Sequence, residues 1–150
     1  MRRAFIVGLA ALLATIVVGC GGSSASDKQV EAITRTYNSY FAAVKSGDGK
    51  AACDLLTPAY QRRASKFVTP IKQAQLKGAS CPKAISQGTL SLLKKFKPTL
   101  ERVQVNGNRA SGFQPGEGRF GPQKTIFKRL GGDWKISATI YTKLPPKKNG

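Results

Sequence analysis

Lys124-Thr125-Ile126-Phe127-Lys128-Arg129-Leu130-Gly131-Gly132-Asp133-Trp134-Lys135-Ile136-Ser137-Ala138-Thr139-Ile140-Tyr141 is the stretch from which the fold can be read. A glycine pair between two runs rich in β-branched and aromatic residues signals a tight hairpin turn. Beyond Gly131-Gly132, Trp134, Ile136, Ala138 and Ile140 alternate with Lys135, Ser137, Thr139 and Tyr141, so the first set is expected on one apolar face of a strand. Pairing back through the turn sets Phe127 against Ile136. An antiparallel sheet with one apolar face needs something to cover it.

Working upstream, Gln114 to Gly121 holds three glycines and Pro115 and reads as a loop. Before it, Val103-Gln104-Val105 starts a period of two, and Asn106-Gly107 is a strong hairpin signal with a strand on either side. About four strands are therefore expected after Pro98.

The cover lies in the first half of the chain. Val30, Ile33, Tyr37, Phe41 and Val44 recur at steps of three and four, the spacing of one helix face, in a helix expected after Ser26 or Asp27 and ended by Ser46-Gly47-Asp48-Gly49. Asp48 is placed to cap a short helix carrying Ala51, Ala52, Leu55 and Leu56, and Thr57-Pro58 stops it and can open another. Ala59 to Phe67 fits helix or irregular structure. Ser80 is placed to cap a third long helix, with Pro82 in its first turn, Gly88 weakening its middle, and Ala84, Ile85, Leu92, Leu93 and Phe96 as apolar positions up to Lys97-Pro98.

Helices first and an antiparallel meander after them make the expected class α+β. The order resembles the nuclear transport factor 2-like superfamily, on two stretches: Ser46-Gly47-Asp48-Gly49-Lys50-Ala51-Ala52-Cys53-Asp54-Leu55-Leu56 after the first helix, and the ending Leu130-Gly131-Gly132-Asp133-Trp134-Lys135-Ile136. The resemblance runs from about Asp27 to Tyr141 and implies a cone, with N-terminal helices on one side of a curved antiparallel sheet and a pocket between them. Some members, such as ketosteroid isomerase and scytalone dehydratase, are enzymes with carboxylates, histidines or tyrosines inside the cone.

The N-terminus carries an address. Arg2 and Arg3 precede an uncharged, mostly apolar run from Ala4 to Val18, shorter than the roughly 20 residues of a membrane-spanning helix and suited to a signal peptide. Val17-Val18-Gly19-Cys20 resembles the lipobox of bacterial lipoproteins, which implies cleavage after Gly19 and a lipidated Cys20. The expected organisation is a signal peptide over 1–19, the lipidated cysteine with a small, flexible linker over 20–26, a folded domain over 27–142 and a disordered basic tail over 143–150. The expected location is the extracytoplasmic face of the cell membrane. With Cys20 assigned to lipid, Cys53 and Cys81 remain as one pair, and a disulfide there would stabilise the fold by about 3–4 kcal/mol in an oxidising compartment. Without C-x-x-C spacing, this pair reads as structural rather than redox-active.

Composition narrows the partners. The chain has 25 Lys and Arg against 7 Asp and Glu, and no histidine. Removing Arg2 and Arg3 with the leader leaves 23 against 7, a mature charge of +16. Anionic lipids and acidic wall polymers are the expected partners of such a charge outside the cytoplasm, where nucleic acid is rarely met; the lysines also suit a merely solvated surface. The lack of histidine removes the commonest proton-transfer and metal-binding side chain.

No catalytic, cofactor-binding or metal set is expected from these residues. Tyr37, Phe41, Asp54, Tyr60 and Trp134 are the candidate pocket residues, with Tyr40 beside them, although aromatics at these spacings also suit a plain core. Asp54 would be the base and Tyr60 the hydrogen-bond donor of an acid–base site. Gly116-Glu117-Gly118 and Gly131-Gly132 lack the strand–turn–helix context of a phosphate loop. Lys94, Lys95 and Lys97, and Lys124, Lys128 and Arg129, are the densest basic clusters in the expected domain. The expectation is a membrane-anchored, non-catalytic binding or interaction module with a cationic surface and a small apolar ligand. The alternative is a small isomerase or hydrolyase of the cone fold, and pairing of the sheet with another copy stays open.

Overall fold

A computed structural model describes residues 23–63, 76, 78–88, 96–116 and 121–142 of the chain, with side chains from Asp27 onward. The expected leader, Cys20, Phe67, Leu92, Leu93, Lys94, Lys95, Glu117 and the tail over 143–150 lie outside the described residues.

Helix α1 (Ser23–Ser46) starts inside the expected linker, so Ser23 to Ser26 are helical rather than only a tether. The first turn of a helix has N–H groups without intrahelical partners, and serine is well tolerated there. The three- and four-residue spacing has its expected effect, since Ile33, Tyr37 and Val44 are all buried. Gly47, at φ 79°, ends the helix in a conformation that favours glycine.

Two caps set the next elements. The Asp48 carboxylate accepts from the Ala51 amide at 2.9 Å and opens α2 (Gly49–Asp54). The Thr57 hydroxyl accepts from the Tyr60 amide at 3.4 Å and opens α3 (Pro58–Gln61), with Pro58 in the first turn. Tyr60 therefore sits on a helix. Helix α4 (Cys81–Gly88) starts after Ser80, whose carbonyl accepts from Ala84 at 2.9 Å. Its expected continuation over residues 89–95 lies outside the described residues, and Phe96 beyond them is buried.

A disulfide joins Cys53 to Cys81 with the Cα atoms 6.1 Å apart, tying α2 to α4. Gly49 makes the same contact tight: a Cβ there would stand 2.0 Å from the Pro82 carbonyl oxygen.

The strands β1 (Glu101–Asn106), β2 (Arg109–Gln114), β3 (Gln123–Leu130) and β4 (Asp133–Tyr141) form one antiparallel sheet in the order β1-β2-β3-β4. Asn106 pairs with Arg109, so Gly107 and Asn108 form the first turn, one residue later than Asn106-Gly107. Gly107 supplies the positive φ of 57° that a two-residue turn of this hand needs at its first central position. Gly131 and Gly132, at 59° and 95°, form the second turn.

Phe127 pairs with Ile136, as the hairpin reading requires, but Ile126 pairs with Ala138. Ser137 is therefore an extra residue, a β-bulge, and the alternation changes parity after it. Trp134 and Ile136 face the helices; beyond the bulge Thr139 and Tyr141 lie on that inner face, opposite Thr125 and Gln123. Ala138 and Ile140 move to the outer face, which corrects the single apolar face expected for this strand. The bulge forms where the α2–α3 link pairs with the edge of β4: Thr57 donates to the Ile136 carbonyl and Ile136 donates to that of Leu55, both at 2.9 Å.

The core lies between helices and sheet. Ile33, Tyr37, Val44, Leu56, Ile85, Phe127 and Ile136 are each no more than 2 % exposed. Burying a side chain of this size contributes roughly 1.5–3 kcal/mol.

Candidate functional site

The inner face is apolar at one end of β4 and polar at the other. On β2, Ala110, Gly112 and Gln114 pair with Phe127, Thr125 and Gln123 of β3. Thr125 and Gln123 pair in turn with Thr139 and Tyr141. Gln114, Gln123 and Thr125 are all buried, so three polar side chains share one end of the space under the helices.

Three tyrosines, Tyr37, Tyr40 and Tyr60, gather at that end, and the fourth, Tyr141, is 69 % exposed beside them. Tyr37, from α1, donates its hydroxyl hydrogen bond to Gln114 Oε1. Tyr60, from α3, is hydrogen-bonded to Thr139 and lies close enough to Tyr141 for the two phenols to interact. Tyr40, one helical turn from Tyr37, is close to Tyr60 in the same way. Phe41 and Phe96 pack with ring centroids 5.3 Å apart, and Tyr37 and Tyr40 meet Phe41 tilted and edge-on at 4.8 and 5.2 Å.

Burial pushes the phenols of Tyr37, Tyr40 and Tyr60 above their ordinary value. Tyr60 also raises Tyr40, and Thr139 partly offsets the effect of burial at Tyr60. These phenols stay neutral near pH 7 and keep a proton to donate. Gln114 Nε2 is buried with no hydrogen-bond partner, in a side chain only 2 % exposed. A buried amide left unpaired costs about 1–3 kcal/mol, so an acceptor oxygen placed beside it would recover that cost.

The candidate pocket residues separate into two groups. Tyr37, Phe41 and Tyr60 come together with Tyr40 at the polar end. Asp54 does not join them: its carboxylate is exposed and bonded to Lys50 at 2.9 Å, an ion pair that raises the Lys50 ammonium above its ordinary value. The base–donor pairing of Asp54 with Tyr60 is not formed. Trp134 is buried at the opposite end of β4 and lines a shallow depression with Ala32, Leu55 and Lys135. The six described acidic residues are all exposed, and among the described residues no three His, Cys, Asp or Glu side chains cluster as metal ligands would.

Gln114, Gln123, Thr125, Thr139 and Tyr141 were missed by the sequence reading. The signal available was parity: Gln123 and Thr125 alternate with Phe127, so a core-facing Phe127 puts both on its own face.

No family model matches the chain, and no curated protein matches it. Among solved structures, the chain is similar to one described as a candidate dehydratase of the nuclear transport factor 2-like family from Streptomyces avermitilis. The identity is 17 % and the TM-score 0.41, over 74 % of this chain and 93 % of that one.

Proposed function

We propose that this chain is an extracytoplasmic lipoprotein, anchored through Cys20, whose folded domain is a nuclear transport factor 2-like cone that binds a small, largely apolar, uncharged molecule without transforming it. The observation that carries the binding reading is the buried Gln114 amide, unpaired at Nε2 beside the neutral Tyr37 hydroxyl. A ligand with one carbonyl or hydroxyl oxygen would accept from Nε2, while its apolar body lies against Phe41 and Phe96. A carboxylate or other ion would lose its hydration among these buried groups. Binding rather than turnover is supported by the exposure of the six described carboxylates and the absence of histidine from the chain. The cone reading rests on element order, on helices covering the inner face and on the bulge in β4. The anchor reading rests on the lipobox-like Val17-Val18-Gly19-Cys20.

Mass spectrometry of the protein gently extracted from membranes tests both parts. The denatured chain is expected to begin at Cys20 and carry a lipid increment. The native form is expected to retain a small molecule that Gln114→Leu releases. An unlipidated chain would overturn the anchor, and a ligand held equally by Gln114→Leu would overturn the site.

A further inference from the structure

The outer face of the sheet carries more cations than acids. Arg109, Lys128 and Lys135 stand in one row across β2, β3 and β4, and Phe113, Lys124 and Ile140 in another. Between the rows lie Ser111, Ile126 and Ala138. Arg102 joins them from the β1 bulge, its guanidinium 3.9 Å over the Phe113 ring, from a backbone held at φ 49°. Glu101 and Asp133 are the two acids that the β1–β2 and β3–β4 pairings place on this face, one at each end of it.

Like charges directly opposite on neighbouring strands destabilise a sheet. Arg109 faces Lys128 with no carboxylate between them, so this pair has positive potential waiting for an anion, while the Lys135 ammonium donates to the Asp54 carbonyl at 2.7 Å. Strands lie about 4.8 Å apart, so the row spans roughly 10 Å, more than one phosphate covers. The apolar residues beside it make the face amphipathic: Ile140 is 52 % exposed, and Phe113 and Ile126 are partly exposed.

We infer that the outer face of the sheet docks on an anionic lipid surface, with Arg102, Arg109, Lys124 and Lys128 among the phosphates and Phe113, Ile126 and Ile140 toward the acyl chains. This extends the envelope location proposed above and specifies which face meets the membrane. A second copy is disfavoured as the occupant, because two such faces would bring their cations together. A soluble acidic polymer would use the cations and leave the apolar residues in water.

The test uses the full chain extracted from membranes, with Ile140→Trp as reporter and buried Trp134 as the background read from the parent chain. It is mixed with vesicles of phosphatidylcholine alone or with added phosphatidylglycerol, each with brominated acyl chains that quench indole. Co-flotation with the neutral vesicles reads the anchor; quenching reads the face. Quenching is expected only in the anionic vesicles. Lys124→Gln with Lys128→Gln is expected to weaken docking about thirtyfold, at about 1 kcal/mol for each cation near the surface, and the two Glu substitutions to weaken it further. Flotation on neutral vesicles should not change with these variants. Equal quenching in both vesicles, or quenching insensitive to the charge variants, would overturn the inference. Charge-dependent binding to polyglycerol phosphate with no quenching would assign the face to a polymer and also overturn it. A chain that fails to float on neutral vesicles but is quenched by anionic ones would overturn the anchor and support the face.

Discussion

The two halves of β4 belong to one strand yet meet different surroundings. Before Ser137, Trp134 and Ile136 point into a hydrophobic core and are 5 % and 2 % exposed. After it, Thr139 and Tyr141 take the inner positions, while Ala138 and Ile140 turn outward. One inserted residue thus gives the sheet an apolar inner end, a polar inner end and apolar residues on its cationic outer face. Whether a residue belongs to the core is therefore set by its partner across the ladder as well as by its own hydrophobicity.

The sharpest way to break that comparison is to truncate one isoleucine on each side of the bulge. Ile136→Ala is expected to cost about 3–4 kcal/mol, the transfer loss plus a cavity. Ile140→Ala should stay within about 0.5 kcal/mol, as for an ordinary surface change. Denaturant melts of the two variants measure this, and equal losses would mean that the alternation continues through Ser137.

Alkaline pH probes the polar end. The phenols of Tyr37, Tyr40 and Tyr60 are raised above the ordinary value of 10.0. The unfolded chain therefore releases their protons first, so their contribution is fully present below about pH 10 and is lost as pH rises through the folded values. Melts across that window should show falling stability. Tyr37→Phe should flatten the slope and Ile136→Ala should leave it unchanged; a slope indifferent to Tyr37→Phe would place that phenol in water.

The smallest effect concerns the link between α1 and the sheet. Tyr37→Phe and Gln114→Leu are each expected to cost about 1–2 kcal/mol by stranding a buried partner, and the double variant less than their sum. Strict additivity in this cycle would show that the two groups do not act together.

Much of the scaffold was legible because it depends on local rules. The buried face of α1 follows from the spacing of Ile33, Tyr37 and Val44, and both short helices from the Asp48 and Thr57 caps. The pairing of Phe127 with Ile136 follows from the two-glycine turn, and the Cys53–Cys81 bridge matches the pair left once Cys20 is set aside. The candidate site was legible only in part. Tyr37, Phe41 and Tyr60 stood out as aromatics, but Gln114 looks like the start of a loop until β2 pairs with β3 and carries it under α1. Asp54 looked available for chemistry until α2 turned its carboxylate toward Lys50 and solvent.

The sequence by itself determined the order of helices and strands and the two hairpins, since each depends on residues close together in the chain. The tertiary structure alone decided the bulge at Ser137. That bulge lies where the α2–α3 link, some 80 positions earlier in the chain, hydrogen-bonds to Ile136. Because strand side chains alternate with period two, one extra residue exchanges the two faces for everything beyond it. Which residues of β4 each face presents beyond Ser137 depends on that contact, which no local pattern contains.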